Sequence, residues 1–149
     1  MFLGKLDKEI IELIEKVNYS IEENAPICLM DKKFIGFHEK NKKKIIICTE
    51  NAKEIGNYRK NSNNNNENHK TKIYLRRALR HEATHLAQAC NNGQPTGIIK
   101  NIDKKIHKSK LDILKSSVQI SGDLQKEVEA YVMEDKPKLV IKAIQKYCF

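Results

Sequence analysis

The sequence is short of several things, and each shortage excludes something. None of its apolar runs is long: "ICLM" at 27–30 and "IIIC" at 45–48 fall far below the roughly 20 residues of a membrane-spanning helix, which predicts a soluble protein. The N-terminus, "MFLGKLDKEIIELIEKV", has no uninterrupted apolar core ahead of a cleavage-like site, so no signal peptide is expected. The four cysteines, at 28, 48, 90 and 148, form no C-x-x-C pair, and a reduced, cytoplasmic compartment is the resulting expectation. Tryptophan is absent and Phe and Tyr make up only 6% of the chain. Its lysines are therefore not interleaved with the aromatic platforms on which nucleic-acid bases stack, and the net charge of +9 reads first as a solubilising surface. A basic nucleic-acid binder remains the least favoured class. No internal repeat and no sharp boundary divides the 149 residues, which are enough for one core without staples.

What is present alternates between two periods. Leu6, Ile10, Ile11, Leu13, Ile14, Val17 and Ile21 recur at helical spacing, predicting a helix over 6–24 that Pro26 stops. "ICLM", "KFIGFHE" and "KKIIICTE" are short apolar or alternating runs, the last two separated by a polar turn, which predicts a small antiparallel sheet or hairpin. An asparagine-rich stretch at 59–70 predicts a flexible surface loop. Helical spacing returns over 71–90 until Gly and Pro end it, with further helices expected over about 104–119, after an Asp123 N-cap, and from Asp135 and Pro137 onward. Strands early and helices late predict a single α+β domain spanning 1–149.

One string carries chemistry. "RRALRHEATHLAQAC", 76–90, places His81 and His85 one helical turn apart with Glu82 beside the first, the H-E-x-x-H spacing of a zinc site. On a helix, Leu75, Ala78, Leu79, Leu86, Ala89 and Cys90 form one stripe, with Arg76, Arg77, Arg80 and Thr84 opposite. Glu82 falls in the middle of the apolar stripe, with His85 beside it and His81 at the stripe's edge, so that both imidazoles can point at one ion. A carboxylate there needs a metal or another cation, because an unpaired buried charge costs several kcal/mol, roughly. The alternative is a pair of ordinary histidines with Glu82 matched to a nearby arginine.

Zinc takes a third protein ligand, and His38, His69, His107 and the later acids are candidates. Glu127 answers best. On a helix over "LQKEVEAYVME" it projects beside the buried stripe of Leu124, Val128 and Tyr131, whereas Glu129 points to solvent and Glu134, on the same side as Glu127, is the reserve. His69 in the loop and His107 among lysines are expected to be solvated. Glu82 would then be the catalytic base and acid of a peptidase, removing a proton from water and passing it to the leaving amine. Tyr131 and His107 are candidates for an additional oxyanion donor, with Tyr131 otherwise expected in the core. The strand "KKIIICTE", if at a sheet edge, would pair with an extended peptide substrate.

Taken together, "HEATH" followed by Cys90, the upstream "GF" at Gly36 and Phe37, "IIICTEN" with Cys48 and Asn51, and the downstream "EVEA" resemble the mitochondrial inner-membrane metallopeptidases that process an ATP-synthase subunit. More widely, the chain is similar to H-E-x-x-H zincins whose third ligand is the glutamate of an E-x-x-A helix. The resemblance spans roughly 36–131. It implies a zincin-like domain with Zn2+ on His81, His85 and Glu127, Glu82 as catalytic acid/base, and a peptide or protein as substrate. Two departures stand out: "LAQA" replaces the acidic residue that this family carries shortly after the second histidine, and most of the family's other cysteines are missing. Cys48 and Cys90 are expected near one another, as core thiols or as a redox-sensitive pair. A zinc-binding module without catalysis is the competing class, and the presence of Glu82, which zinc does not need as a ligand, argues against it.

Overall fold

The computed structural model describes residues 3–60, 68–100 and 123–149. The helix predicted over 104–119, His107, and most of the asparagine-rich loop lie outside them. The order is α1 (Lys5–Lys16), β1 (Ser20–Glu23), a 3-10 turn (Pro26–Leu29), β2 (Gly36–Glu39), a second 3-10 turn (Lys40–Lys42), β3 (Lys44–Ile47), α2 (Thr49–Ile55), α3 (His69–Cys90), α4 (Leu124–Met133) and α5 (Pro137–Cys148). This is the expected α+β domain, with a three-stranded sheet and its helices segregated.

The first helix is shorter than its apolar period suggests. Asp7 accepts from Gly4 N–H at its start, and Ile10, Leu13 and Ile14 face the core. Asn18 then adopts a left-handed φ of 61°, and Ile21, instead of extending the helical stripe, sits in β1 opposite Ile45 of β3. "ICLM" is not a strand either: Pro26 opens a 3-10 turn there.

In the sheet, β3 is central. β1 pairs with it in parallel, and β2 pairs antiparallel in the predicted hairpin, with Gly36 opposite Ile47 and His38 opposite Ile45. β3 therefore has no free edge, and the peptide-pairing role expected of it fails; β2 is the edge strand beside α3. Alternation divides the faces. Ile45 and Ile47 join α1, α3 and α5 in the main core, while Ile46 points the other way into a small cluster with Ala25 and Cys28. Asn51 holds that cluster's loop by donating to the carbonyls of Cys28 and Phe34, each at 2.9 Å.

α3 runs 22 residues through the centre and is covered on both sides. Thr84, expected opposite the apolar stripe, is accordingly buried, its hydroxyl donating to Arg80 O. Arg80 reaches Asp7 of α1 through two hydrogen bonds, Nε–Oδ1 2.7 Å and Nη2–Oδ2 3.2 Å, and donates to Glu134 O at 2.9 Å. One guanidinium thus joins α1, α3 and the end of α4.

The cysteines overturn the reduced-thiol expectation. Cys28 is bonded to Cys48, and Cys90 to Cys148, so Cys48 and Cys90 are neither free thiols nor a pair with each other. The second bond ties the last residue of α3 to the last of α5. Partners separated by 20 and 58 residues leave no spacing signature. Among the described residues, no helix is long and apolar enough to cross a membrane.

Asp7 is 1% exposed and the Arg80 pair is its charge balance, so Asp7→Ala leaves a guanidinium uncompensated in the interior. Urea unfolding should show a loss of about 3 kcal/mol; a change within a few tenths would mean that the pair is dispensable.

Candidate metal centre

His81, Glu82 and His85 all lie on α3, and their consecutive turns bring both imidazoles to one side. Glu127 enters from the first turn of α4, a helix capped by the Asp123 side chain accepting from Lys126 N–H, as the sequence predicted. Three short distances close a triangle: His81 Nε2 to His85 Nε2, 3.2 Å; His81 Nε2 to Glu127 Oε2, 3.2 Å; His85 Nε2 to Glu127 Oε1, 3.1 Å. Donor atoms about 2.1 Å from a tetrahedral metal stand about 3.4 Å apart, so the spacing is that of a ligand set. This buried His81, His85 and Glu127 group could hold a metal ion. Glu127 Oε2 is buried and, despite its closeness to His81, receives no aligned hydrogen bond.

The other ring nitrogens say which faces are turned inward. His81 Nδ1 lies 3.0 Å from Glu134 Oε1, and His85 Nδ1 2.8 Å from Gln88 Oε1. The Gln88 orientation is set by its own amide, which donates to Lys126 O and to Glu129 Oε1, each at 3.0 Å. Both Nδ1 atoms therefore carry hydrogen and both Nε2 atoms turn to the centre, where each offers a lone pair to a metal once its ring is neutral. Glu129, expected in solvent, is fully buried as the anchor of this chain, and its carboxylate also accepts from Thr96 and Gly97 N–H at 2.9 Å. Glu134, the reserve ligand, orients His81 instead.

Electrostatics at the centre favour a cation. Burial opposes protonation of His81, but the Glu127 and Glu134 carboxylates, 3.2 and 3.0 Å from its ring nitrogens, outweigh it and push its pKa up to about 10. Burial likewise raises Glu127, and the two imidazoles more than offset this, holding its carboxyl well below the usual range. Glu82 is 7% exposed, and burial raises its pKa against the opposing pull of both histidines. Its side chain lies along β2, where a Cβ at Gly36 would stand 2.8 Å from Glu82 Cγ and Oε1. Only glycine leaves that room.

These residues floor a cleft of about 600 Å³. His38 lines it and stacks between Tyr19 and His85, with ring centroids at 5.6 and 6.3 Å, but stays outside the ligand set. Burial lowers its pKa to about 4, keeping it neutral. His69 opens α3 away from the centre. Tyr131, expected in the core, lines the cleft and meets His81 edge-on at 4.8 Å, while Leu124 is 53% exposed and no part of a buried stripe. Sequence reasoning missed Gln88 and Glu129. Gln88 had one signal, its place about one helical turn beyond His85; Glu129 had none.

Fold and centre together define a small α+β domain with a helix-borne His/His/Glu candidate metal site. The chain matches, over residues 1–149, the family model described as Domain of unknown function (DUF8637), and it belongs to that family. No curated protein and no solved structure matches it.

Three outcomes follow. A metal must displace the proton that His81 shares with its carboxylates, so apparent metal affinity should rise about tenfold per pH unit between about pH 7 and about pH 9, in a chelator competition; a flat profile would contradict the protonation assigned to His81. Without metal the sign reverses. The ion pair stabilises the fold fully below 6.5, the ordinary histidine value, and is lost as pH rises through about 10. Gln88→Leu, which removes the hold on His85 Nδ1, should weaken metal binding about 10- to 100-fold; wild-type affinity would leave Gln88 only a packing role.

Proposed function

We propose that this chain is a zinc-dependent peptidase. The observation that carries the reading is the triangle of His81 Nε2, His85 Nε2 and Glu127, with edges of 3.1–3.2 Å, next to a buried Glu82 that belongs to neither ring. Two imidazoles and one carboxylate are the donor set of catalytic zinc, which leaves a fourth position for water. When bound, zinc supplies the Lewis acidity that makes water a usable nucleophile near neutral pH and polarises a carbonyl.

The chain's own residues do the rest. Glu82 accepts the proton of the attacking water and returns it to the leaving amine, a task suited to a carboxyl whose pKa burial has raised. Gln88 and Glu134 keep both Nε2 atoms facing inward while this happens. The extended substrate lies along β2, whose outer edge is unpaired within the sheet. Tyr131, on the cleft wall beside His81, takes the oxyanion-donor role. The resemblance to H-E-x-x-H zincins supports the same assignment. The two disulfides support an oxidising compartment over a cytoplasmic one.

The test is elemental analysis with a peptide-library cleavage assay on one set of proteins. Wild type should carry about one zinc per chain and cleave peptides. His85→Ala and Glu127→Ala should lose zinc and activity, whereas Glu82→Gln should keep zinc and lose at least a hundredfold in rate. A folded wild type that takes up no zinc would overturn the reading.

A further inference from the structure

Charge is unevenly distributed in the cleft. Its acids, Glu82, Glu127 and Glu134, are buried at the floor around the histidines. Its cations are at the walls. Lys33 and Lys40 bracket the edge strand β2, and Lys126 faces them from the first turn of α4. Lys33 and Lys40 are exposed and form no salt bridge among the described residues. Lys126 stands 3.9 Å from Asp123 on its own helix turn, a loose contact that leaves its ammonium partly available. Arg77 also lines the cleft, but Asp135 already holds it at 2.9 Å.

Lys40 and Lys126 both line the cleft that the metal ligands floor, Lys40 from the β2 wall and Lys126 from the α4 wall. The same cleft has apolar lining from Phe34, Ile35, Tyr74 and Ala78.

Resting on the peptidase reading, we propose that the substrate is an acidic peptide: an extended segment with an apolar residue at the cut and Asp or Glu two or three residues to either side. The register follows from β2. Gly36 lies against Glu82 and His38 stacks beside His85, so the scissile bond sits alongside Gly36–His38. Lys40, at the start of the second 3-10 turn, is two residues beyond that stretch, and Lys33, in the turn ahead of β2, is three before it. A carboxylate placed there meets an ammonium without a salt bridge among the described residues, and Lys126 faces the same cleft from α4. A peptide bearing lysine at those positions meets like charge instead.

The experiment uses three matched fluorogenic peptides identical around the cut and carrying Glu, Gln or Lys at the flanking positions. Wild type should cleave the Glu peptide with kcat/KM about tenfold above the Gln peptide and the Lys peptide more slowly still, and the spread should shrink as salt rises. Lys40→Glu with Lys126→Glu should invert the Glu-to-Lys ratio. Equal cleavage of all three would overturn the charge preference and leave the peptidase reading standing. Binding of the same peptides to zinc-loaded Glu82→Gln, read by fluorescence anisotropy, decides the matter separately from turnover. If no peptide is cut but the Glu peptide binds about tenfold more tightly, catalysis fails and the cleft's preference stands; equal binding overturns the preference there too.

Discussion

Three carboxylates buried around two imidazoles are the constraint on which the rest of this structure depends. Glu82, Glu127 and Glu134 are each less than a tenth exposed, and so much negative charge away from water persists only if a cation balances it. The elevated His81 pKa and the depressed Glu127 pKa express the same demand in terms of protons. A divalent ion held by His81, His85 and Glu127 would meet it more completely than one proton, because it would bring two positive charges.

The scaffold holds this arrangement from four directions. Arg80 locks α3 to α1 and to the end of α4, and the Cys90–Cys148 bond fixes its far end to α5. Gln88 and Glu129 tie it to α4 and to the backbone at 96–97. On the fourth side β2 approaches closely because residue 36 has no side chain. Positional precision at the histidines is therefore distributed over contacts that reach α1, α4, α5 and β2, while the cleft itself is lined by lysines and aromatic rings.

Much of the centre was legible in the sequence because it lies on two helices. A period of 3.6 residues turns spacing into direction, so His81, His85 and Glu82 could be placed on one face and Glu127 singled out from Glu129 as the residue nearer the centre. The same geometry failed for the fate of Glu129, since helical projection says which way a residue points and not what the facing segment, Thr96 and Gly97, offers it. Helical periodicity also misled at Ile21: with one apolar residue in "SIEE", the parallel strand β1 left no alternation to compete with the helix before it. Cysteine pairing depends on long-range closure, which local spacing does not encode. The charge layout of the cleft was likewise hidden, because Lys33, Lys40 and Lys126 come from opposite walls.

Zinc K-edge X-ray absorption on the purified, zinc-loaded wild-type protein tests the central claim most directly. The account predicts a shell of nitrogen and oxygen scatterers at about 2.0–2.1 Å with the outer-shell pattern of two imidazoles, reduced to one in His85→Ala. A shell with sulfur, or one of oxygen alone without imidazole scattering, would place the metal elsewhere and contradict the assignment of His81, His85 and Glu127.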